Sequence, residues 1–204
     1  MKARFSVPSD FKLKTLRTLS QLNLKGNIIV EETYGSLNPS PLLSGRSYNV
    51  IPKVDMDKLE KYIRLSKEVN IGFNYLINLS CTANLELYRK ERKQNEKIIL
   101  DLFNIGVTRF TIASHTFLPL LESFKGIDLT ISTISQLYEP CGIKYIKKFS
   151  NVRRICLPEK FNRNLSVLKS TIEHAYPLEV SVIVNNMCLL DCPFRNQHYN
   201  YYSH

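Results

Sequence analysis

The chain has 204 residues, 44% of them hydrophobic, and a formal net charge of +10. That length buries a core without disulfides and is read as one domain over residues 1–204. No apolar run approaches the roughly 20 residues of a membrane-spanning helix. Met1 to Pro8 carries charge but no apolar core of a signal peptide, so a cytoplasmic location with no membrane contact is expected. There the five Cys are read as thiols or metal ligands rather than disulfides. The positive balance favours an anionic partner. Much of it, however, lies in the mixed run Arg89 to Lys97, which reads as the solvated face of a helix.

In chain order, an apolar spacing of three to four through Phe11, Leu13, Leu16, Leu19, Leu22 and Leu24 predicts an outer helix over 10–24. Ile28, Ile29 and Val30 mark a first strand, Asn27 to Glu32. A long polar loop follows, broken by Gly35, Pro39, Pro41, Gly45 and Pro52, and long loops at strand ends often carry function. Asp55 caps a helix over 56–69 with Leu59 and Ile63 on its buried face. The second strand is Gly72 to Asn78, with Leu79 to Asn84 as its exit loop. A helix over 85–104 stops at Gly106, and Val107 to Ala113 is the third strand. Phe117, Leu120, Leu121 and Phe124 give a short amphipathic helix. Asp128 to Ile134 is the fourth strand, 136–149 a weaker helix, and Val152 to Leu157 the fifth strand. Leu165, Leu168 and Ile172 mark the next helix, and Glu179 to Val184 the sixth strand.

Six alternations of strand and helix predict right-handed βαβ units and a parallel sheet. The fold expected is an α/β, (β/α)8 TIM-type barrel, incomplete at about six βα units, since a full barrel takes roughly 250 residues. An open doubly wound sheet is the alternative. Unpaired sheet edges would invite a partner chain or self-association.

The sixth strand runs into Asn185-Asn186-Met187-Cys188, then Cys192-Pro193-Phe194-Arg195, then His198-Tyr199-Asn200 and Ser203-His204. Ligand-type and hydrogen-bonding side chains cluster there, at the end of a strand where α/β proteins build sites. The bland reading is a buried Cys pair beside an unusual tail.

That stretch is the most specific part of a resemblance to the peptidase U32-like proteins, the collagenase-like protease group. The other matching stretches are Glu31 to Leu37 with Ser44-Gly45-Arg46, Phe73 to Asn78 with Cys81 and Asn84, Gly106 to Thr111, and Phe161-Asn162-Arg163. The resemblance covers nearly the whole chain. It implies a TIM-type barrel and a four-Cys iron–sulfur (4Fe-4S) cluster, of which Cys188 and Cys192 match and further ligands lie outside this chain. It also implies oxygen-independent hydroxylation, or a related modification, of a small molecule or RNA. The alternatives are a peptidase of this type and a non-catalytic barrel fragment that works through a partner chain.

On the residues themselves, Cys188 and Cys192 suit a cluster's need for soft thiolates. Cys81, just past the second strand, is the local candidate for a third ligand. A radical-SAM motif is rejected because Arg195 stands where its third Cys belongs. Zinc held by the two Cys with His198 and His204 ranks below the cluster, because structural zinc uses a tighter first pair. Cys141 and Cys156 read as packing residues. Arg195 would favour thiolate over thiol. Arg195, His198, Tyr199 and Asn200 are candidate substrate contacts or donors to the cluster. Glu31, Arg46 and Asn74 are candidate substrate-binding residues; Arg offers a fixed fork for a carboxylate or phosphate, although loop charges are commonly only solvated. For hydrolysis, Cys81 with His115 or His198 would have to serve as nucleophile and base.

Overall fold

The computed structural model describes residues 2–40, 42, 49–84, 88–185, 189 and 192–203. Two site candidates, Arg46 and Cys188, lie outside the described residues, as does His204. Among the described residues, seven strands, not six, form one sheet in chain order. They are β1 (Ala3–Pro8), β2 (Ile28–Gly35), β3 (Gly72–Ile77), β4 (Arg109–Ile112), β5 (Asp128–Ile131), β6 (Val152–Cys156) and β7 (Glu179–Ser181). Between them lie α1 (Leu13–Lys25), α2 (Met56–Glu68), α3 (Arg89–Asn104), α4 (Leu118–Glu122), α5 (Pro140–Ile146) and α6 (Leu165–Ala175), and α7 (Arg195–Tyr202) follows β7. Every neighbouring pair is parallel, as the alternation predicts.

The strand missed in the sequence is β1. Its Ala3, Phe5 and Val7 alternate with Arg4 and Ser6, but it is exposed along nearly its whole length. An edge strand has one free side and tolerates charge and a terminal Pro8, so its composition reads as a tail. The expected fourth strand also stops early, at Ile131. There Ser132 Oγ accepts from Ile134 N at 3.2 Å and turns the chain into a short 3-10 segment.

The sheet is strongly curled. In a flat sheet β2 and β6 would stand four spacings of about 4.8 Å apart, roughly 19 Å. Yet Arg154 Nη1 on β6 lies 2.8 Å from Glu32 Oε1 on β2, and Arg4 on β1 pairs with Glu179 on β7. The architecture is a partial TIM-type α/β barrel with helices outside.

Alternation divides each strand between two environments. Outward residues Val30, Tyr75, Ile77, Phe110, Ile112, Leu129, Ile131 and Ile155 are buried and share one core with Leu59, Ile63, Ile99, Leu102, Leu121, Ile143 and Ile146 from the helices. Phe11, Tyr62 and Phe73 close one end of it, with ring centroids 5.3 to 5.8 Å apart. Asp55 caps α2 as expected, accepting from Lys58 N at 2.8 Å. The basic run on α3 faces solvent while Ile99 and Leu102 face the core. The helix expected from Leu165, Leu168 and Ile172 is α6, in which Leu165 and Ile172 are 75% and 50% exposed while Thr171 and Ala175 are buried.

Candidate functional site

Inward-facing residues build two polar layers. The lower one is an ionic floor. In the ladder between β1 and β2, Phe5 pairs with Val30 and Ser6 with Glu32, so Glu31 is skipped. That bulge turns two successive carboxylates toward the concave side, where strict alternation would allow one. Arg154 meets them both. Its Nη1 donates to Glu32 Oε1 at 2.8 Å, its Nη2 to both oxygens of Glu31 at 3.1 Å, and its Nε to Glu179 at 3.0 Å. Glu32 is the hub: it also accepts from Ser6 Oγ at 3.0 Å and Arg109 Nη1 at 3.1 Å, with Asn74 Nδ2 at 3.4 Å. Asn74 Oδ1 in turn accepts from Thr111 at 2.8 Å.

Arg109 must pass over β3 to reach β2, and Gly72 makes that possible. A Cβ there would lie 2.4 Å from Arg109 Nη1. Burial alone would depress the Arg154 guanidinium, but Glu32, Glu179 and Glu31 outweigh it and hold its pKa above the usual value. For Glu179, burial pushes upward, while Arg4 and Arg154 more than offset it and keep the carboxyl below its usual range.

The second layer is the mouth, at the carboxyl ends of the strands, and α7 lies across it. At one end of α7, Arg195 Nη1 lies 3.1 Å from Glu159 Oε1, with both side chains less than a tenth exposed. Arg195 Nη2 donates to Leu189 O at 2.8 Å, and Glu159 accepts from Thr133 Oγ1 at 2.7 Å. At the other end, Ser80 Oγ donates to Asn200 Oδ1 at 2.7 Å, and Ser80 N to Ser203 Oγ at 3.0 Å. The helix therefore runs from the exit loop of β6 to that of β3.

The mouth is less well satisfied than the floor. Among the described residues, buried polar atoms without a hydrogen-bond partner include Asn78 Oδ1, His115 Nε2, Glu159 Oε1, Asn162 Oδ1 and Arg195 Nε. All five belong to exit loops or to α7. The Glu159–Arg195 contact is close enough for an ion pair but is not aligned as a hydrogen bond. Burial lowers the His115 pKa below its usual value.

The predicted site residues divide between these layers. Glu31 and Asn74 meet in the floor. Arg195 and Asn200 anchor α7, Tyr199 O accepts from Ser203 Oγ, and His198 is exposed beside Phe194. Glu32, Arg109, Arg154, Glu179 and Glu159 were missed. The legible signal was a charge recurring at inward positions of strands otherwise made of β-branched and aromatic residues.

Cys81 and Cys192 are half-buried and Cys141 is exposed. Burial raises the thiol pKa of Cys156. Cys81 adjoins Ser80, against the C-terminal end of α7, whereas Cys192 precedes its first turn. An eight-residue helix, about 12 Å long, separates those ends. Among the described residues no three His, Cys, Asp or Glu side chains gather as metal ligands. Nor, among the described residues, is any helix long and apolar enough to cross a membrane.

No family model matches the chain. It is 26% identical, over 204 residues, to an uncharacterized protease of Methanocaldococcus jannaschii, a match covering 98% of the chain and 60% of that protein. A solved U32 peptidase superposes with a TM-score of 0.77 at 13% identity, over 100% of the chain and 76% of the peptidase. The chain is similar in fold to that U32 peptidase. Its barrel is also similar to the citrate synthase SbnG, with a TM-score of 0.53 at 8% identity over 91% of the chain and 79% of that enzyme. That more distant likeness concerns fold alone, and one fold hosts many chemistries. The chain spans 60% of the length of the curated relative it matches.

Proposed function

We propose that this U32-like chain is the substrate-binding barrel of a peptidase-type protein, with a polypeptide substrate lying at the mouth beneath α7. The observation that carries the reading is the set of buried polar atoms that, among the described residues, have no hydrogen-bond partner, on Asn78, His115, Glu159, Asn162 and Arg195. Buried polar groups are normally paired, and an unpaired group calls for a water, a ligand or a functional reason. A peptide backbone presents both donors and acceptors to such a surface. The relative's name as a protease and the fold neighbour's as a peptidase support the same class. The test is hydrolysis of a fluorogenic casein by the purified chain. Expected is turnover above a heat-treated control that falls at least tenfold in Asn78→Ala. Absence of hydrolysis and of peptide binding in the wild type overturns the reading.

A second reading rests on Cys188 and Cys192, four positions apart in the sequence, with Cys192 half-buried just ahead of α7. In it, the two thiolates hold part of an iron–sulfur cluster that supports modification of a small molecule or RNA. Cys81, which adjoins Ser80 in the exit loop of β3, remains the candidate for a third ligand. Anaerobic purification with iron and sulfide quantitation decides this reading. Iron that is retained in the wild type and lost separately in Cys188→Ala and Cys192→Ala supports it. Wild-type protein without iron, or iron equal in all three, removes it.

A further inference from the structure

Neither polar layer inside the barrel draws on the basic run of α3. Arg92, Lys93 and Lys97 face solvent on the outer layer. Arg92 pairs with Glu96 one turn on, whereas Lys93 and Lys97 have no ion pair among the described residues. Lys93, Lys97 and Leu100 follow one another at four and three residues, so they share one stripe of the helix. Leu100 is 46% exposed although its neighbour Ile99 is fully buried.

α4 stands beside that stripe without covering it. It has 5 residues against 16 in α3, about 8 Å of helix against about 24 Å. Its expected apolar stripe is also divided. Phe117 and Leu121 are buried in the core, whereas Leu120 and Phe124 are only partly buried. The Phe124 ring leans on Phe103 of α3, with centroids 6.4 Å apart. An open groove of about 680 Å³ results, whose lining includes Arg92, Lys93, Lys97 and Leu100 on one side and Leu120 and Phe124 on the other. Both walls come from consecutive βα units in the middle of the chain. α3 already has its two neighbours in the ring, α2 and α4, so no further unit of the barrel is placed to fill the groove.

We propose that this groove docks an acidic amphipathic helix of a partner protein. Apolar side chains of that helix pack on Leu100, Leu120 and Phe124, as an amphipathic helix does when it lies in a groove. Carboxylates on its flank meet Lys93 and Lys97. Complementary charge of this kind selects the partner and speeds its arrival, while a basic helix is repelled. From Arg92 to Leu100 α3 rises about 12 Å, the length of about two turns of a docked helix. A nucleic acid is the poorer occupant, because strands without a complement bind exposed aromatic faces by stacking, and the Phe124 ring is taken up by Phe103. A second copy of the chain is poorer still, because two chains of net charge +10 repel one another.

The probe is a fluorescein-labelled helical peptide with Leu at i, i+3, i+4 and i+7, Glu on the flanks of that stripe and Ala elsewhere. Its binding to the full chain is followed by fluorescence anisotropy at physiological ionic strength, beside a scrambled peptide of the same composition and a uridine-rich RNA of the same net charge. Saturable one-to-one binding is expected, at least tenfold tighter than that of the scrambled peptide. It should weaken at least tenfold when Lys93→Gln and Lys97→Gln are combined, and separately in Leu100→Gln. All three side chains are exposed, and thermal midpoints equal to that of the wild type confirm that both variants fold. Absence of binding overturns the proposal, as does equal affinity for the scrambled peptide or an affinity unchanged in either variant. RNA that binds more tightly than the peptide, and is lost in the same variants, overturns it in favour of a nucleic-acid face.

Discussion

The floor and the mouth of this barrel are both polar, both partly buried, and built on opposite principles. On the floor every nitrogen of the Arg154 guanidinium has a carboxylate oxygen within 3.1 Å, and Glu32 is surrounded by donors. At the mouth, among the described residues, Arg195 Nε has no hydrogen-bond partner and Asn78 and His115 each have one such atom. A fully satisfied polar network rigidifies a structure, while a partly satisfied one retains unmet hydrogen-bonding capacity. Under the proposed function, the difference gives stability to the floor and recognition to the mouth. It matches the division seen across TIM barrels, whose sites lie at the carboxyl ends of the strands.

The largest test of that division is Arg154→Met. It removes the one cation shared by Glu31, Glu32 and Glu179 and leaves Glu32, only 3% exposed at its side chain, with the more exposed Arg109 as its remaining cation. Breaking a buried pair by deleting one partner costs about 3–5 kcal/mol. A loss of that size is expected in urea unfolding at pH 7. A loss below about 1 kcal/mol would mean that the floor is ornamental and that the comparison fails.

Gly72→Ala asks the same of geometry rather than charge. The new methyl would sit 2.4 Å from Arg109 Nη1 and 2.9 Å from its Cζ, with Glu31 O at 3.3 Å behind it. The guanidinium is the far end of a flexible side chain and moves aside, giving up its ion pair with Glu32. Overpacking of this kind costs about 1–3 kcal/mol. In an Arg109→Ala background the Gly72→Ala penalty should shrink by at least half, which a double-mutant cycle measures. Equal penalties in both backgrounds would show that Arg109 is not what Gly72 accommodates.

These two sites also show what the sequence made legible. The alternation of strands and helices and the cap at Asp55 followed from periodicity and local chemistry alone. β1 did not, although Ala3, Phe5 and Val7 alternate, because an exposed edge strand carries the composition of a tail. The apolar stripe of Leu165 and Ile172 was legible as a helix face but not as an uncovered one, since periodicity cannot say which neighbour is present. The floor was hidden for a different reason. Glu32 and Arg154 are 122 residues apart, and their meeting depends on sheet curl and on one bulge, neither of which leaves a local pattern. Glu31 and Asn74 were singled out as substrate contacts, and the structure brings them together within the ionic network. The tail was recognised as important, yet its helix α7 and its anchor at Glu159 come from tertiary contact.

Ser80→Ala probes the mouth at smaller cost. It removes the bond to Asn200 Oδ1 at 2.7 Å and the longer contact with Ser203 Oγ at 3.2 Å while keeping the backbone bond from Ser80 N to Ser203. One hydrogen bond at a partly exposed site is worth about 1 kcal/mol. Faster amide exchange confined to α7 is expected, with exchange in β2, β3 and β6 unchanged. Acceleration throughout the sheet would mean that α7 is part of the barrel's global fold rather than a strap over its mouth.

The smallest expected effect is the pH dependence set by His115. Burial holds its folded pKa below the ordinary value of 6.5, which the unfolded chain retains. On acidification the unfolded state therefore binds a proton before the native state does. The resulting stability is fully present above the unfolded pKa and is lost as pH falls toward the folded one. The slope stays below about 1.4 kcal/mol per pH unit, the limit for a single proton. His115→Gln keeps a hydrogen-bonding side chain but cannot titrate, so its stability should fall less than that of the wild type between pH 7.5 and 5. The lowered Glu179 carboxyl also costs stability on the acid side, but it does so equally in both proteins and cancels in the difference. Parallel curves would show that His115 is not held neutral by its burial. A peptide that donates a hydrogen bond to the free Nε2 should oppose protonation further and lower the His115 pKa again, which titration of its ring resonances by NMR with and without peptide would register.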